Sequence, residues 1–473
     1  MSMNNDVIRT LIKYTGNNDF VYDSKSKKWL SYHDVWNRAY IIAAYITSEN
    51  KKYVIAVMDN GINLFTLYFA NMLAGTIIVP VDPQKSAKEI NGIVNEYSDY
   101  LLLDEQSDLF TNLNDIVAEE NVLEKIYQID AEKIFMITYT SGSTGHAKGV
   151  IHSLQNLVLA ANSLGKITGL NEHYTMCHVM PMTYMAGILN TIILPLVFGA
   201  KIVLLPRFSV ISAVKFWSNV EKLGITAFWL SPTMLNLLMT VDKKATVKKY
   251  LAQHKTIFYI GTAPLLSAIR ESFENKYGVK LLQSYGLSET LFISSEVPDE
   301  ENTVDSVGKI LPEVRVINIE KDELAIVAPW LFLGYTNENT ADYFIADSYK
   351  TGDIGLIEQG RLTITGRIKD LIIKGGMNIS PVQIEKCLAA YEGMGECAVA
   401  GITIRNEENI VCWYVLQPKA KLAAAEINNF IERELGKFCR IDIFQQVDSI
   451  PKNINGKIDK IRLVREFYSD TEV

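Results

Sequence analysis

The chain has 473 residues, 48% hydrophobic and 21% charged, with a net charge of −8 and a pI of about 5.5. It is too long for one hydrophobic core, so at least two domains are expected. No basic tract is long enough to follow a nucleic-acid backbone, which argues against such a partner. The five cysteines are scattered and form no C-x-x-C pair, which fits free thiols in a reducing compartment and argues against a zinc site or disulfide framework.

The N-terminal run MSMNNDVIRTLIKYTG is polar and lacks the apolar core of a signal peptide, so a cytoplasmic protein is expected. Ser31, with Asp34 three residues on, opens a predicted helix that runs to about Thr47. Residues 53–58 read as a buried strand, 63–73 as a helix broken by Gly75, and 76–81 as another strand. A helix over 86–97 and a strand over 100–103 continue the alternation, which implies parallel sheets flanked by helices. Residues 134–137 form an apolar strand leading into 139–150, YTSGSTGHAKGV. The apolar stretch 185–205 is interrupted by Pro195, Gly199 and Lys201, and reads as a core helix turning into a strand, with no membrane span.

The alternation resumes with strands at 225–230 and 256–260 around a helix at 232–240. After about Gly308 the strands become short and closely spaced: 314–319, 323–327, 355–358 and 362–365. That texture predicts a smaller β-rich subdomain. Beyond Arg367 a helix at 380–391, strands at 396–402 and 409–416, and a helix at 426–435 suggest a second domain. The boundary is placed at Arg367, giving domains of 1–367 and 368–473. Residues 393–398 match the dinucleotide fingerprint G-x-G-x-x-A but follow a helix and open a strand, the reverse of what that fingerprint requires.

Thr140, Ser141, Gly142, Ser143, Thr144 and Gly145, closed by Lys148, combine glycines, hydroxyl donors and a cation. That combination suits a triphosphate, although the spacing is not that of the common G-x-x-x-x-G-K-[ST] loop. Gly261, Thr262 and Ala263 follow the strand that ends at Ile260, where glycine offers a flat surface for a planar ring. Within 284–290, SYGLSET, Tyr285 offers an aromatic face, Ser288 a hydroxyl, and Glu289 a hard oxygen ligand for Mg2+. Asp353, in YKTGD, is expected at a tight turn where its carboxylate can accept ribose hydroxyls. Taken alone, each of these segments also reads as an ordinary turn.

In order, these motifs resemble those of the adenylate-forming enzymes: acyl-CoA synthetases, adenylation domains and luciferases. The resemblance implies an α/β fold, with a large N-terminal domain of parallel-rich sheets, a small β-barrel-like subdomain, and a small mobile α+β C-terminal lid. It places Gly261, Thr262, Ala263, Ser284, Tyr285 and Gly286 around adenine, and Asp353 with Arg367 at the ribose. Ser288 stands where the family has threonine in Y-G-x-T-E. Lys369 falls at the hinge position. Lys374, Gly375 and Gly376 match the loop that lines the CoA tunnel, with Met377 where Glu is usual. Lys457, in 451–460, matches the lysine that bridges carboxylate and α-phosphate. ATP, Mg2+ and CoA are the implied cofactors.

Amino-acid-activating members place an aspartate in the loop before the acyl-pocket helix. Residues 181–187, PMTYMAG, contain no acid, so an uncharged acyl or aryl acid is expected, with Tyr184, Met185, Gly187 and Leu287 at its pocket. The expected reaction is acid plus ATP to acyl-AMP and pyrophosphate, then transfer to the thiol of CoA. Two alternatives stay open: loading of the phosphopantetheine of an acyl carrier protein, and nucleotide binding without chemistry. A monomer or homodimer is expected.

Overall fold

A computed structural model describes residues 3–111, 122–140, 147–243, 245–301, 303, 305–374, 377–404, 407–417, 420–421, 423–452 and 457–470. The local signals in the sequence set the element ends. Ser31 caps the helix Tyr32–Glu49, and Asp34 closes the capping box. Ser86 and Glu89 do the same for the helix Ala87–Val94. Gly75 ends the helix Ile62–Ala74 in the left-handed conformation, at φ 67°.

Two mixed sheets carry the large domain. In the six-stranded sheet, Tyr100–Asp104, Tyr53–Val57, Ile77–Val81 and Ile134–Thr140 run parallel. Lys148–Ser153 and then Gly334–Tyr335 add antiparallel strands at one margin. Among the described residues the second sheet has fourteen strands. Its parallel part comprises Leu281–Leu287, Ile257–Ile260, Ala227–Leu230, Thr175–His178, Lys201–Leu204 and Asp19–Asp23. From Leu281–Leu287 onward it continues as an antiparallel arm through Leu291–Ser295, Ser306–Ile310, Arg361–Arg367, Ser348–Glu358, Glu323–Val327 and Arg315–Asn318. The expected β-rich subdomain is this arm, hydrogen-bonded into the main sheet.

The apolar stretch near 185–205 folds as a buried π-helical segment, Ala186–Ile193, then Leu194–Phe198 and the strand Lys201–Leu204. Among the described residues, no helix is long and apolar enough to cross a membrane. The five cysteines are free thiols.

The C-terminal part is built on a three-stranded sheet, Met394–Ile404, Glu407–Leu416 and Ile443–Gln446. Strand alternation buries both its faces. Val399 and Cys412 pack with Ile384, Leu388, Ile427 and Ile431 of the helices Pro381–Ala389 and Ala424–Leu435. Ala398, Val411 and Trp413 pack with Leu463 and Phe467 of Lys460–Asp470. Among the described residues, these clusters share none with the cores of the large domain. Contacts between the two parts include the ion pair of Lys386 with Asp305 at 3.1 Å and the hydrogen bond from Ser380 Oγ to Thr365 O at 2.6 Å. The segment 393–398 leads from a helix into a strand, as expected of a connecting turn.

Candidate active site

Asp353 sits inside the long strand Ser348–Glu358, directly opposite Arg367 on Arg361–Arg367. The sequence expectation of a tight turn is therefore corrected. Gly352 takes φ 70°, and the register shifts between Ile354 and Gly355, so the local kink belongs to an irregular strand. The Asp353 carboxylate is buried. Arg367 Nε donates to its Oδ1 at 2.5 Å, and Tyr285 Oη donates to its Oδ2 at 2.5 Å. Each carboxylate oxygen has a second lone pair, so two sugar hydroxyls can still be accepted. Burial, followed by the Asp353 charge, pushes the Tyr285 hydroxyl well above its usual range and keeps it a donor.

Tyr285 lies on Leu281–Leu287, and a short connection leads from there into Leu291–Ser295. The connection is tight at Gly286, where a Cβ would stand 1.7 Å from Leu291 O, so a larger residue cannot enter. It carries Ser288 and Glu289. Beneath it, buried His152 donates from Nε2 to Ser288 O at 2.7 Å, while its buried Nδ1 has no hydrogen-bond partner among the described residues. Burial holds His152 down to about 4, so the ring is neutral. Glu289 Oε1 accepts a hydrogen bond from Tyr335 Oη at 2.8 Å. Burial raises the Glu289 pKa, which the Tyr335 hydrogen bond and the charges of Arg367 and Lys148 only partly offset. A divalent cation would supply the missing compensation. Among the described residues no three metal-ligating side chains converge. A single carboxylate such as Glu289 would suit Mg2+ whose other ligands are phosphate oxygens and water.

Gly261 packs beside Ser284, with a hypothetical Cβ 3.4 Å from Ser284 Oγ, so the segment 261–263 and the Tyr285 segment share one wall. Thr262 takes φ 69°, an uncommon conformation for a β-branched residue, and its buried hydroxyl has no partner among the described residues. Backbone strain and an unsatisfied hydroxyl thus coincide on one residue.

Lys457, from the C-terminal part, lies close enough to Arg367, Asp353 and Glu289 to feel their charges. Its side chain stays solvent-accessible, yet loss of hydration and then the Arg367 charge lower its pKa, while Asp353 and Glu289 pull it upward. Lys369 also acts on it, from the turn Ile368–Asp370 that follows Arg367. Tyr184 is half-buried nearby. Burial raises its pKa, with Glu289 adding and Arg367 subtracting. Gly187 lies in Ala186–Ile193, and Leu287 packs against the cluster of Val150, Phe332, Tyr335 and Tyr349. Met185 is only 4% exposed and belongs to the core, so Tyr184 and Leu287 provide the accessible surface there. Buried Tyr68 donates to Met182 O at 2.7 Å, and Asn60 binds both Met180 O and Met182 N at 2.8 Å, which fixes the loop before the π-helical segment.

Thr140 and Lys148 face each other as the last rung between Ile134–Thr140 and Lys148–Ser153. Ser141, Gly142, Ser143, Thr144 and Gly145 between them lie outside the described residues, as do Gly375 and Gly376. Lys374 pairs with Asp442 at 2.6 Å within the C-terminal part. Lys148 Nζ lies 2.7 Å from Glu338 Oε2 and 2.6 Å from Tyr343 Oη. Tyr335, Glu338, Tyr343 and His152 were not singled out from the sequence. The available signal was period-two alternation, which puts Lys148, Val150 and His152 on one strand face, with two polar groups among apolar neighbours.

One region thus gathers the buried Asp353 carboxylate with Arg367 and Tyr285, the Glu289 carboxylate, and a lysine of the C-terminal part, Lys457, that feels the charges of both acids. This is the organisation of an adenylate-forming enzyme. Residues 10–335 match the AMP-binding enzyme family and residues 383–457 match the AMP-binding enzyme C-terminal domain, and the chain belongs to this family. It is 26% identical over 456 residues to the long-chain-fatty-acid–CoA ligase FadD13 of Mycobacterium tuberculosis, covering 88% of each chain. It is 27% identical over 351 residues to the 2-succinylbenzoate–CoA ligase of Enterococcus faecalis, covering 71% of this chain and 70% of the relative. Its fold matches ATP-bound MatB from Rhodopseudomonas palustris with a TM-score of 0.85 at 23% identity, covering 99% of each chain.

Proposed function

We propose that this protein is an AMP-forming acid–CoA ligase. A carboxylate oxygen attacks the α-phosphorus of ATP, and pyrophosphate leaves. The CoA thiol then adds to the carbonyl of the acyl-adenylate, loses its proton, and AMP leaves. Both reactants of the first step are anions, so catalysis is chiefly charge neutralisation and alignment.

The observation that carries this reading is the placement of Lys457 within electrostatic reach of Asp353, Arg367 and Glu289. In this assignment Asp353, Arg367 and Tyr285 take the ribose, and Gly261, Thr262, Ala263, Ser284 and Gly286 take the adenine. Thr140, Lys148 and the 141–145 loop take the phosphates. Glu289 holds Mg2+, which offsets triphosphate charge when bound, and Ser288 presents a hydroxyl toward the phosphates. Lys457 neutralises the charge that builds between carboxylate and α-phosphate. Domains 1–367 and 368–473 turn about Lys369 between the half-reactions, withdrawing Lys457 and bringing Lys374, Gly375 and Gly376 to the CoA path. Glycines at 375 and 376 suit close passage of the thiol-bearing arm of CoA.

The two CoA-ligase relatives named above support CoA as the acceptor. Tyr184 and Leu287 border the acid site, and residues 181–187 contain no carboxylate to balance an ammonium, which supports an uncharged acyl or aryl acid over an amino acid. A panel of carboxylic acids in an ATP–pyrophosphate exchange assay, repeated with CoA, tests the assignment. Acid-dependent exchange followed by CoA-dependent AMP release is expected. Exchange with amino acids alone, or transfer only to a carrier protein's phosphopantetheine, overturns the substrate or acceptor half.

A further inference from the structure

Lys148 is the cation that closes the phosphate-binding segment, and its ammonium is already engaged by an anion from a distant part of the chain. Its side chain is 14% exposed, and it pairs with Glu338 at 2.7 Å. Tyr343 Oη accepts from Lys148 at 2.6 Å and itself donates to Glu338 Oε2, closing a three-membered ring of contacts. The faces of Tyr343 and Tyr335 lie 4.7 and 5.4 Å from the ammonium and complete a cage.

The main chain that delivers Glu338 is held independently of that carboxylate. Leu333 N and Thr336 N donate to Ile151 O at 2.8 Å and Gly149 O at 3.0 Å. The approach requires glycine at 149, where a Cβ would stand 2.7 Å from Thr336 Oγ1. Tyr335 N donates to Thr340 Oγ1 at 3.0 Å, and Asn339 caps the turn Thr340–Tyr343. The Glu338 side chain is 29% exposed, so its carboxylate can release Lys148 while the backbone stays in place.

A partly buried ammonium is costly without an anionic partner. A phosphate chain that reaches Lys148 must take over the position of Glu338, and when that chain departs the carboxylate can return. We propose that Glu338 is a displaceable counter-anion for Lys148, competing with the terminal phosphates of ATP and with pyrophosphate. The inference rests on the phosphate-binding role assigned to Lys148 above. It makes Glu338 a positioning residue that sets how loosely the inorganic product is held.

Calorimetric titration of the full-length protein with inorganic pyrophosphate, tripolyphosphate and AMP tests it. Glu338→Gln keeps the shape and removes the charge, and is expected to tighten pyrophosphate and tripolyphosphate by about fivefold to tenfold. AMP affinity is expected to stay unchanged. Pyrophosphate is also expected to become a stronger product inhibitor, with the KM for the acid unaltered. The gain should vanish when Glu338→Gln is combined with Lys148→Met. Unchanged or weaker pyrophosphate binding in Glu338→Gln, with Lys148→Met weakening it, overturns the competition while leaving the Lys148 assignment standing. Wild-type pyrophosphate binding in Lys148→Met alone overturns the phosphate role itself, and the competition with it.

Discussion

Arg367 Nε reaches Asp353 Oδ1 at 2.5 Å across the final rung between their strands, and the turn carrying Lys369 begins at the next residue. The group assigned to the ribose and the assigned pivot of the C-terminal body are thus fixed by one cross-strand pair. On the large-domain side of that assigned pivot, Asp353 is buried and held from two directions.

Asp353→Asn removes the charge that Arg367 and Tyr285 share. The KM for ATP is expected to rise by ~10–100-fold, the range for losing a charge-assisted hydrogen bond. Steady-state kinetics with varied ATP checks this. An unchanged KM removes Asp353 from the nucleotide site.

Lys457→Ala is expected to slow adenylate formation by ~10²–10³, the usual effect of deleting one preorganised electrostatic group. Thioester formation from supplied acyl-adenylate should be largely preserved. Pyrophosphate exchange and direct CoA capture measure the two steps separately. An equal loss in both contradicts the assigned division of labour.

Tyr335→Phe deletes the donor that lowers the Glu289 pKa. That pKa is already raised by burial, and it is expected to rise further. The ionised carboxylate is the form that binds a metal ion, so the acid limb of kcat/KM for ATP should move to higher pH. Matched pH–rate profiles of wild type and Tyr335→Phe supply the test, and coincident acid limbs argue against metal binding by Glu289.

His152 and His178 are buried and neutral, held down to about 4 and about 3. Their folded-state pKa values lie below the unfolded value of ~6.5, so the unfolded chain binds more protons below that pH. Their stabilising contribution is therefore intact above about pH 6.5 and declines as the pH falls toward the folded values. Denaturant unfolding at pH 7 and pH 5 should show a smaller acid penalty in His152→Gln, whose amide can still donate to Ser288 O. An identical penalty assigns the acid sensitivity to other groups.

Local chemistry made much of the fold legible. Ser31 with Asp34, and Ser86 with Glu89, mark their helix starts through side chains three residues apart, and both capping boxes form. Gly352 betrayed the kink before Asp353, but only pairing with distant Arg367 turns that kink into part of a strand. The same limit hid Tyr335 and Glu338, whose partners lie 46 and 190 residues away in sequence. The order of loops in the sequence suggested the outline of the nucleotide site proposed above. The hydrogen bonds that orient its acids depend on sheet pairing, which no short window of sequence contains.

The C-terminal body keeps two oily interiors of its own, and neither merges with those of its larger neighbour. The rotation proposed above would therefore uncover little greasy surface, and the ion pair between Lys386 and Asp305 would set part of its cost. Dissolved salt weakens such a tether far more than it disturbs buried hydrocarbon. Ionic strength thus becomes a handle on how readily the machine changes posture, separate from how well it grips its nucleotide.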